Sequence, residues 1–480
     1  MPHSSLSQKL QILFKQHNIA SLSVDSRSVK ENEAFFATKG ENYDGNKFIS
    51  DALNNKAGLI ITDNKESLAI DLKKIIYVAD VKAALYESIE YFYPNTPKIM
   101  IAATGTNGKS SVVSYIAQLY SLLGENAASI GTLGVEIFGY NKFIHEEVPK
   151  LTTPDYLTFR KIVHKLAENE IECLAFEASS HGLDQNRLGT IKVQVACFTS
   201  FSQDHLDYHQ TKEAYLLAKL KLFTDNLLPQ GIAVLNSDIA EIDFIKDYLK
   251  KYNIKSITIG SSGSLKINKI ISSIQGQNIN FTFNDKDYEF NTEIIGSFQA
   301  SNLLIAAIAV HNTGFAFDKV ISALAKVNPV KGRMERIENT NIFIDYAHTP
   351  DALEKTLSEL KNIKLKGSKL IVIFGCGGNR DKTKRSLMGE ISAGIADKVI
   401  ITNDNPRNEN PGDIRKDIIS SISNTSYIEI ADREEAIKYG INNLGEDDIL
   451  LIAGKGHENY QIIGDKKLPF DDIEIAKKYL

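Results

Sequence analysis

KIMIAATGTNGKSSVVSYIAQLYSLLG, from Lys98 to Gly124, decides the fold. It opens with an apolar run short enough for one strand, crosses a loop of small residues, and continues as a helical pattern that Gly124 closes. In such a loop the backbone N–H groups and the helix N-terminus can wrap a polyphosphate, and Lys109 adds charge. Ser110 stands where a phosphate-loop hydroxyl would ligate Mg2+. One position departs from the usual pattern: Ala103 replaces the glycine expected five residues before Gly108. A tight glycine turn ahead of a helix is the plainer reading, but the Gly-Lys-Ser-Ser ending weighs against it. The stretch points to nucleoside triphosphate binding by Gly105, Thr106, Asn107, Gly108, Lys109, Ser110 and Ser111.

Outward from this unit the alternation continues. ECLAFE, VQVACFT and GIAVLN read as strands with helical patterns such as DYLTFRKIVHKLAE between them, so βαβ units and a mostly parallel sheet are expected. INFTFN and YEFNTEII read as a hairpin or meander added to that sheet. Around Lys331 the pattern restarts. NIFIDYA, KLIVIFG, DKVIIT, SYIEI and DILLIAG are strand candidates of a second α/β domain of doubly wound type. Thr349-Pro350-Asp351 marks a helix start, with a capping residue and then proline at the first helical position. Ahead of Lys98, the strand-like runs AFFAT, AGLIIT and IIYV mix with helical patterns and end at YFYPNTP, a proline-bearing linker.

Composition bounds the function. With 480 residues the chain has room for about three domains of roughly 150 residues each. Its 43% hydrophobic and 24% charged residues suit an ordinary globular protein, and a net charge of −5 argues against nucleic acid as the main partner. Cys173, Cys197 and Cys376 are scattered and odd in number, which suggests neither a disulfide framework nor a zinc knuckle. The first residues lack a signal-peptide core and no apolar run is long enough to span a bilayer, so a cytoplasmic protein without membrane insertion is expected.

Several polar segments follow strands, where ligands bind in open α/β sheets. FEASSHGLDQNR (Phe176 to Arg187) offers Glu177, a carboxylate able to hold Mg2+ or simply a solvated strand end. In SQDHLDYH (Ser202 to His209), His205 and His209 are four apart and could share a helix face as metal ligands, though such pairs are more often surface or capping residues. Lys219, in YLLAKLKLF, reads only as an amphipathic-helix lysine. Asp345, in FIDYAHTPDAL, could meet a ribose or an attacking group, or cap a helix. IFGCGGNRDKTKR reads equally as a phosphate loop or a basic surface turn. Arg380, Arg407 (in DNPR) and Glu458 (in AGKGHENYQ) all fall just after strands of the second α/β domain. Two guanidinium forks read as a carboxylate clamp and Glu458 as an ammonium partner, which together describe a site for a zwitterionic amino acid.

TGTNGKSS, EASSHGLDQNR, SQDHLDYH, GR-x-E at Gly332 to Glu335, DYAHTPD, GCGGNRDKTKR, DNPR and GKGHE occur in the order seen in Mur ligases, and the chain resembles that family over essentially its whole length. The likeness is greatest to the branch that adds the third amino acid in peptidoglycan synthesis. It implies an α/β fold of three domains: a small N-terminal α/β domain for the UDP end (residues 1–94), a central P-loop ATPase with a mostly parallel sheet (98–330), and a C-terminal Rossmann-like amino-acid domain (331–480). The implied activity is an ATP-dependent amide ligase using ATP and Mg2+. Its acceptor is UDP-N-acetylmuramoyl-L-alanyl-D-glutamate, and DNPR accompanies meso-2,6-diaminopimelate as the added amino acid. A monomer is expected, with C-terminal domain closure in the cycle. The lysine-adding ligase, another ligase of the superfamily and a simple P-loop NTPase are the alternatives. A Rossmann dehydrogenase lacks its GxGxxG.

Carried over by motif, the resemblance implies catalytic roles for Lys109, Glu177, His205 and Lys219, the last as N6-carboxylysine. It implies metal contacts at Ser110, Glu177 and His205, and nucleotide contacts at the loop residues above with Asn302, Arg333 and Asp345. The UDP-muramyl dipeptide would meet Ser26, Glu41, Asn42, Tyr43, Thr152, Thr153, Ser179, Gln185 and Arg187. Diaminopimelate would meet Arg380, Asp404, Asn405, Pro406, Arg407, Gly454 and Glu458. Leu151 replaces a residue polar in many relatives, and Gln299 a more usual asparagine.

Overall fold

The computed structural model describes residues 4–40, 43–71, 73–139, 151–422 and 427–480. In chain order its strands are β1 Ser21–Ser23, β2 Glu33–Phe36, β3 Leu59–Thr62, β4 Ile75–Tyr77, β5 Ile99–Thr104, β6 Ala127–Gly131, β7 Gly134–Phe138, β8 Cys173–Glu177, β9 Val193–Phe198, β10 Leu227–Asn236 and β11 Lys255–Gly260. They continue as β12 Leu265–Ser273, β13 Gly276–Phe283, β14 Lys286–Thr292, β15 Glu335–Arg336, β16 Ile342–Asp345, β17 Leu370–Phe374, β18 Lys398–Ile401, β19 Tyr427–Glu429, β20 Ile449–Ala453, β21 Tyr460–Ile463 and β22 Lys466–Pro469. The chain divides into two compact units.

The first unit holds Met1–Lys98, Pro154–Glu172 and Asn186–Ile191. Its sheet is parallel in the order β1-β2-β3-β4. The runs AFFAT, AGLIIT and IIYV supply β2 to β4, and β3 is buried throughout. β1 went unforeseen because SLS carries no apolar run. Helix Val81–Phe92 starts where Asp80 accepts from Lys82 N and Ala83 N, satisfying two of the orphan N–H groups of a helix start. Helix Tyr156–Glu168 joins it through Arg160, 2% exposed, which donates to Glu90 Oε2 at 3.2 Å and to Tyr93 O.

The second unit contains two sheets. The ten-stranded one runs β14-β13-β12-β11-β10-β9-β5-β8-β6-β7. Its middle, from β11 to β6, is parallel, and β12, β13 and β14 form the expected antiparallel meander. Helices Lys109–Leu122 and Ser297–His311 pack on each other and on this sheet, and both are buried nearly all round. That burial explains why neither shows an amphipathic stripe in its sequence.

The six-stranded sheet runs β15-β16-β20-β17-β18-β19, parallel except at β15. All five strands expected after Lys331 are present. Both faces are covered: Val372 and Phe374 meet Leu353, Leu357 and Met388, while Ile371 and Ile373 meet Ala436, Ile437 and Ile473. A strand buried on both faces reads as a continuous apolar run, and LIVIF does.

Candidate active site

Between β5 and helix Lys109–Leu122 lie Gly105 to Gly108. Gly108 caps the helix with φ +86° and Gly105 has φ +149°, conformations that favour residues without a β-carbon. Space excludes a side chain as well: a β-carbon would lie 2.6 Å from Asn302 Oδ1 at Gly108 and 2.1 Å from Thr199 Oγ1 at Gly105. The turn after β9 braces the loop. Thr106 N donates to Ser200 O (2.9 Å), Asn107 N to Ser200 Oγ (2.8 Å), and Ser202 N to Thr106 Oγ1 (3.0 Å). Lys109 Nζ folds back onto Gly105 O (2.9 Å) and Thr106 O (2.8 Å). Burial lowers the pKa of this ammonium, against the pull of Glu177 and Asp204. The result is a helix N-terminus with a half-buried cation beside it, a ready site for phosphate.

The other expected nucleotide residues approach the same loop or lie just behind it. Asn302 donates Nδ2 to Gln299 Oε1 (3.0 Å), which also accepts from Tyr115 OH (3.2 Å). Gln299 thus fixes the amide so that Oδ1 faces Gly108. Arg333 donates to Ser110 Oγ (3.0 Å) and lies 4.6 Å from the Tyr346 ring centroid. Asp345 is 7% exposed, and its carboxylate accepts from Met334 N (2.7 Å) and Ala347 N (2.8 Å), so here it braces a turn. A residue not singled out for binding also reaches the loop: Asp351 Oδ2 accepts from Asn107 Nδ2 (2.9 Å) and Ser202 Oγ (3.2 Å). The sequence signalled it only as part of a helix start.

Glu177 is buried, taking Thr132 N (2.8 Å) and Thr132 Oγ1 (3.2 Å), so the reading of a solvated strand end is set aside. It sits against Gly131, where a β-carbon would come within 2.2 Å of Oε1. Lys219 is no surface lysine. It is 1% exposed, donates to Gly105 O (2.8 Å) and lies 4.2 Å from the Tyr215 ring centroid. Burial first, then the charge of Lys109, holds its pKa well below the ordinary lysine range. His205 and His209 do not share a helix face: the helix is Leu206–His209, and His205 precedes it at φ +54°. Both rings instead contact His181, at 4.8 and 5.5 Å between centroids. Although His205 is exposed, partial desolvation of its ring, against the pull of neighbouring Asp204, lowers its pKa.

Among the described residues no three His, Cys, Asp or Glu side chains are grouped to hold a metal ion. Mg2+ keeps several waters and binds through one or two protein oxygens plus substrate phosphates, so it needs no ready-made cage. Ser110 Oγ at the first helical turn and the Glu177 carboxylate fit that donor set.

The residues expected to receive the amino acid follow β17, β18 and β20. Arg407, at φ +50°, is held by hairpin β21–β22: Arg407 N donates to Ile462 O (3.1 Å) and Gly464 N to Arg407 O (2.8 Å). Its guanidinium donates to Gly378 O (2.9 Å) and Asn405 O (3.4 Å). Arg380 is exposed, and neither arginine forms an ion pair among the described residues. Asp404 is 9% exposed and takes Asn405 N (2.6 Å). Pro406 O leaves no room at Gly378, where a β-carbon would lie 2.0 Å away, and Gly454 (φ +110°) faces Asp404 Oδ2. Glu458 is already paired, with Lys455 Nζ at 3.2 Å. The turn after β17 is not a plain basic surface: Arg385, 1% exposed, pairs with Glu409 and Asp417, each at 2.9 Å.

Of the residues expected at the peptide acceptor, Thr153 Oγ1 donates to Glu177 O (2.9 Å) and accepts from Ser179 N (2.9 Å), and Thr152 Oγ1 lies 3.2 Å from Thr132 Oγ1. Gln185 Nε2 donates to Tyr208 OH (3.3 Å). Ser26 is buried and Tyr43 is 73% exposed, both in the first unit, as is the half-buried Arg187. Glu41 and Asn42 lie outside the described residues.

A phosphate-binding loop after a strand of one mostly parallel sheet, with two guanidiniums beyond a second that form no ion pair among the described residues, suits a nucleotide-dependent enzyme with a carboxylate-bearing substrate. The sequence matches the Mur ligase family, catalytic domain, over residues 18–96, the Mur ligase middle domain over 103–310, and the Mur ligase, glutamate ligase domain over 332–456. The chain belongs to the Mur ligase family. It is 69% identical, over 98% of each chain, to the UDP-N-acetylmuramoyl-L-alanyl-D-glutamate--2,6-diaminopimelate ligase of Rickettsia conorii. A solved structure of a ligase of that name shares 33% identity at a TM-score of 0.67, covering 96% of this chain and 94% of its own. The MurF ligase of Thermotoga maritima in complex with ADP, 17% identical with a TM-score of 0.66 over 96% and 97%, shares the fold.

Proposed function

We infer that the chain is the ATP-dependent ligase that joins meso-2,6-diaminopimelate to the D-glutamyl γ-carboxylate of UDP-N-acetylmuramoyl-L-alanyl-D-glutamate, in peptidoglycan precursor synthesis. The observation that carries this is full-length identity of 69% to a ligase of that name, together with DNPR and GKGHE meeting at one place in the fold. ATP phosphorylates the γ-carboxylate, giving an acyl phosphate and ADP. An amine of diaminopimelate attacks the acyl carbon, the tetrahedral intermediate expels phosphate, and the amine loses its proton as the amide forms. A carboxylate is a poor electrophile, and phosphorylation supplies the leaving group.

The chain's own residues position and neutralise. The Gly105–Ser111 loop and helix N-terminus receive the phosphates, Lys109 turns from the loop carbonyls to them, and Asn302, Arg333 and Asp345 complete the nucleotide site. Mg2+, held by Ser110, Glu177 and His205, would supply positive charge to the transferring phosphoryl group. Burial disfavours the Lys219 ammonium; as the free amine it would attack CO2, and the N6-carboxylysine so formed, with one proton released from that amine, would face Lys109 as an anion. Thr152, Thr153, Ser179, Gln185 and Arg187 meet the peptide acceptor, and Ser26 with residues 41–43 the UDP end. Arg380, Asp404, Asn405, Pro406, Arg407, Gly454 and Glu458 receive the amino acid. We assign residues 1–94, 98–330 and 331–480 to these three tasks. The enzyme works as a cytoplasmic monomer, a state that light scattering checks; no described helix is long and apolar enough to cross a membrane.

The test is to incubate the protein with ATP, Mg2+ and the UDP-dipeptide, adding diaminopimelate or L-lysine in parallel, and to identify products by mass. Tripeptide product with diaminopimelate and little with lysine is expected. Product with lysine alone would keep the ligase and overturn its amino acid.

A further inference from the structure

Lys455 is 0% exposed, yet it lies within the segment that the reading above makes part of the amino-acid site. Its Nζ meets Glu458 Oε2 (3.2 Å), Asn405 Oδ1 (3.4 Å) and the carbonyl of Tyr460. An ammonium has three donors, and three separate segments use all of them: the DNPR loop, the GKGHE turn and hairpin β21–β22. Asn405 closes the group, donating Nδ2 to Glu458 Oε2 (2.8 Å) and accepting from Ile462 N (2.8 Å) through Oδ1. Glu458 Oε2 therefore carries two donors, while Oε1 has no hydrogen bond among the described residues.

Charge adds to geometry. Lys455 offsets Glu458, Asp404 is the remaining acid, and Arg380 and Arg407 have no acid partner among the described residues, so the group is net positive. A dicarboxylic diamine, with no net charge and a carboxylate for each end, suits such a site. Lysine, a net cation without the second carboxylate, does not.

We propose that Lys455 is a positioning and selectivity residue of the amino-acid site: it ties up one oxygen of Glu458, leaves the other to receive a single ammonium group, and opposes net-cationic amino acids. This rests on the function proposed above.

The test is Lys455→Met, with Glu458→Gln and the double variant, assayed against the wild type. If Lys455 positions Glu458, Lys455→Met raises the KM for diaminopimelate about tenfold or more and leaves the KM for ATP within about twofold. It also narrows the preference for diaminopimelate over lysine by about tenfold. In the Glu458→Gln background, adding Lys455→Met costs little more, because the residue it acts through is gone. Unchanged kinetics, or KM values that all shift together with a fall in Tm, would overturn the proposal. If Lys455→Met does not fold, the double variant, which buries no lone charge, still decides: a KM for diaminopimelate about tenfold above that of Glu458→Gln refutes action through Glu458. Failure of the functional reading is distinct, since the wild type would then use neither amino acid.

Discussion

Arg407 carries the sharpest prediction at the scale of single residues. Among the described residues its guanidinium meets only backbone carbonyls, at 2.9 and 3.4 Å, and no acid competes for it. Removing the partner of a bound carboxylate costs about 2–5 kcal/mol. Arg407→Ala is therefore expected to raise the KM for diaminopimelate roughly 30-fold or more, with ATP binding unaltered, in steady-state kinetics. Lys219 makes a different prediction. If the buried amine is carbamylated, carbon-13 NMR with labelled bicarbonate should show a carbamate that Lys219→Ala lacks, and that variant should lose roughly 100-fold in turnover. Absence of the signal in an active wild type would remove the modification. Neither residue's state was legible locally. Lys219 reads as an amphipathic lysine until the fold buries it against Gly105, and Arg407, marked as a clamp by its place after a strand, shows only in the fold that hairpin β21–β22 holds its backbone and that carbonyls occupy its guanidinium.

At the scale of elements, glycines and buried ion pairs set the tolerances. Gly108→Ala meets both a left-handed backbone and Asn302 Oδ1 at 2.6 Å, so the loop must shift. Loss of nucleotide binding with the overall fold kept is expected, checked by calorimetry and circular dichroism. Helix Asp472–Lys478 is fastened differently. The Arg433 and Asp472 side chains are both 0% exposed and pair at 2.7 Å, with a second bond of 2.8 Å. Leaving Arg433 buried and alone should cost about 3–5 kcal/mol, so Asp472→Ala should lower the urea midpoint sharply. The sequence did not mark this pair, because the partners are distant in the chain and each looks like an ordinary surface charge.

For the molecule as a whole, pH links stability to its buried bases. Burial, aided by Arg333, lowers the His457 pKa to about 3. The unfolded chain gains a proton near pH 6.5 that the folded chain refuses until about pH 3, so stability present above 6.5 is lost as pH falls through that window. The slope is at most about 1.4 kcal/mol per pH unit for one proton. His457→Gln should flatten the stability profile between about pH 6.5 and 5, measured by urea denaturation. An unchanged profile would mean that the ring titrates normally.

The sequence by itself determined the elements and their order: apolar runs of strand length, each followed by a helical pattern, admit a parallel sheet and little else. It also marked the phosphate loop and the DNPR and GKGHE segments, because glycine turns and charges after strands are local features. Only the tertiary structure decided which charges are spent and which are free. Asp345 is used by two backbone amides, Arg385 by two acids and Glu458 by Lys455, whereas Arg380 and Arg407 have no acid among the described residues. Those outcomes depend on partners brought together from distant parts of the chain, and on burial that makes each pairing count. No local pattern encodes either.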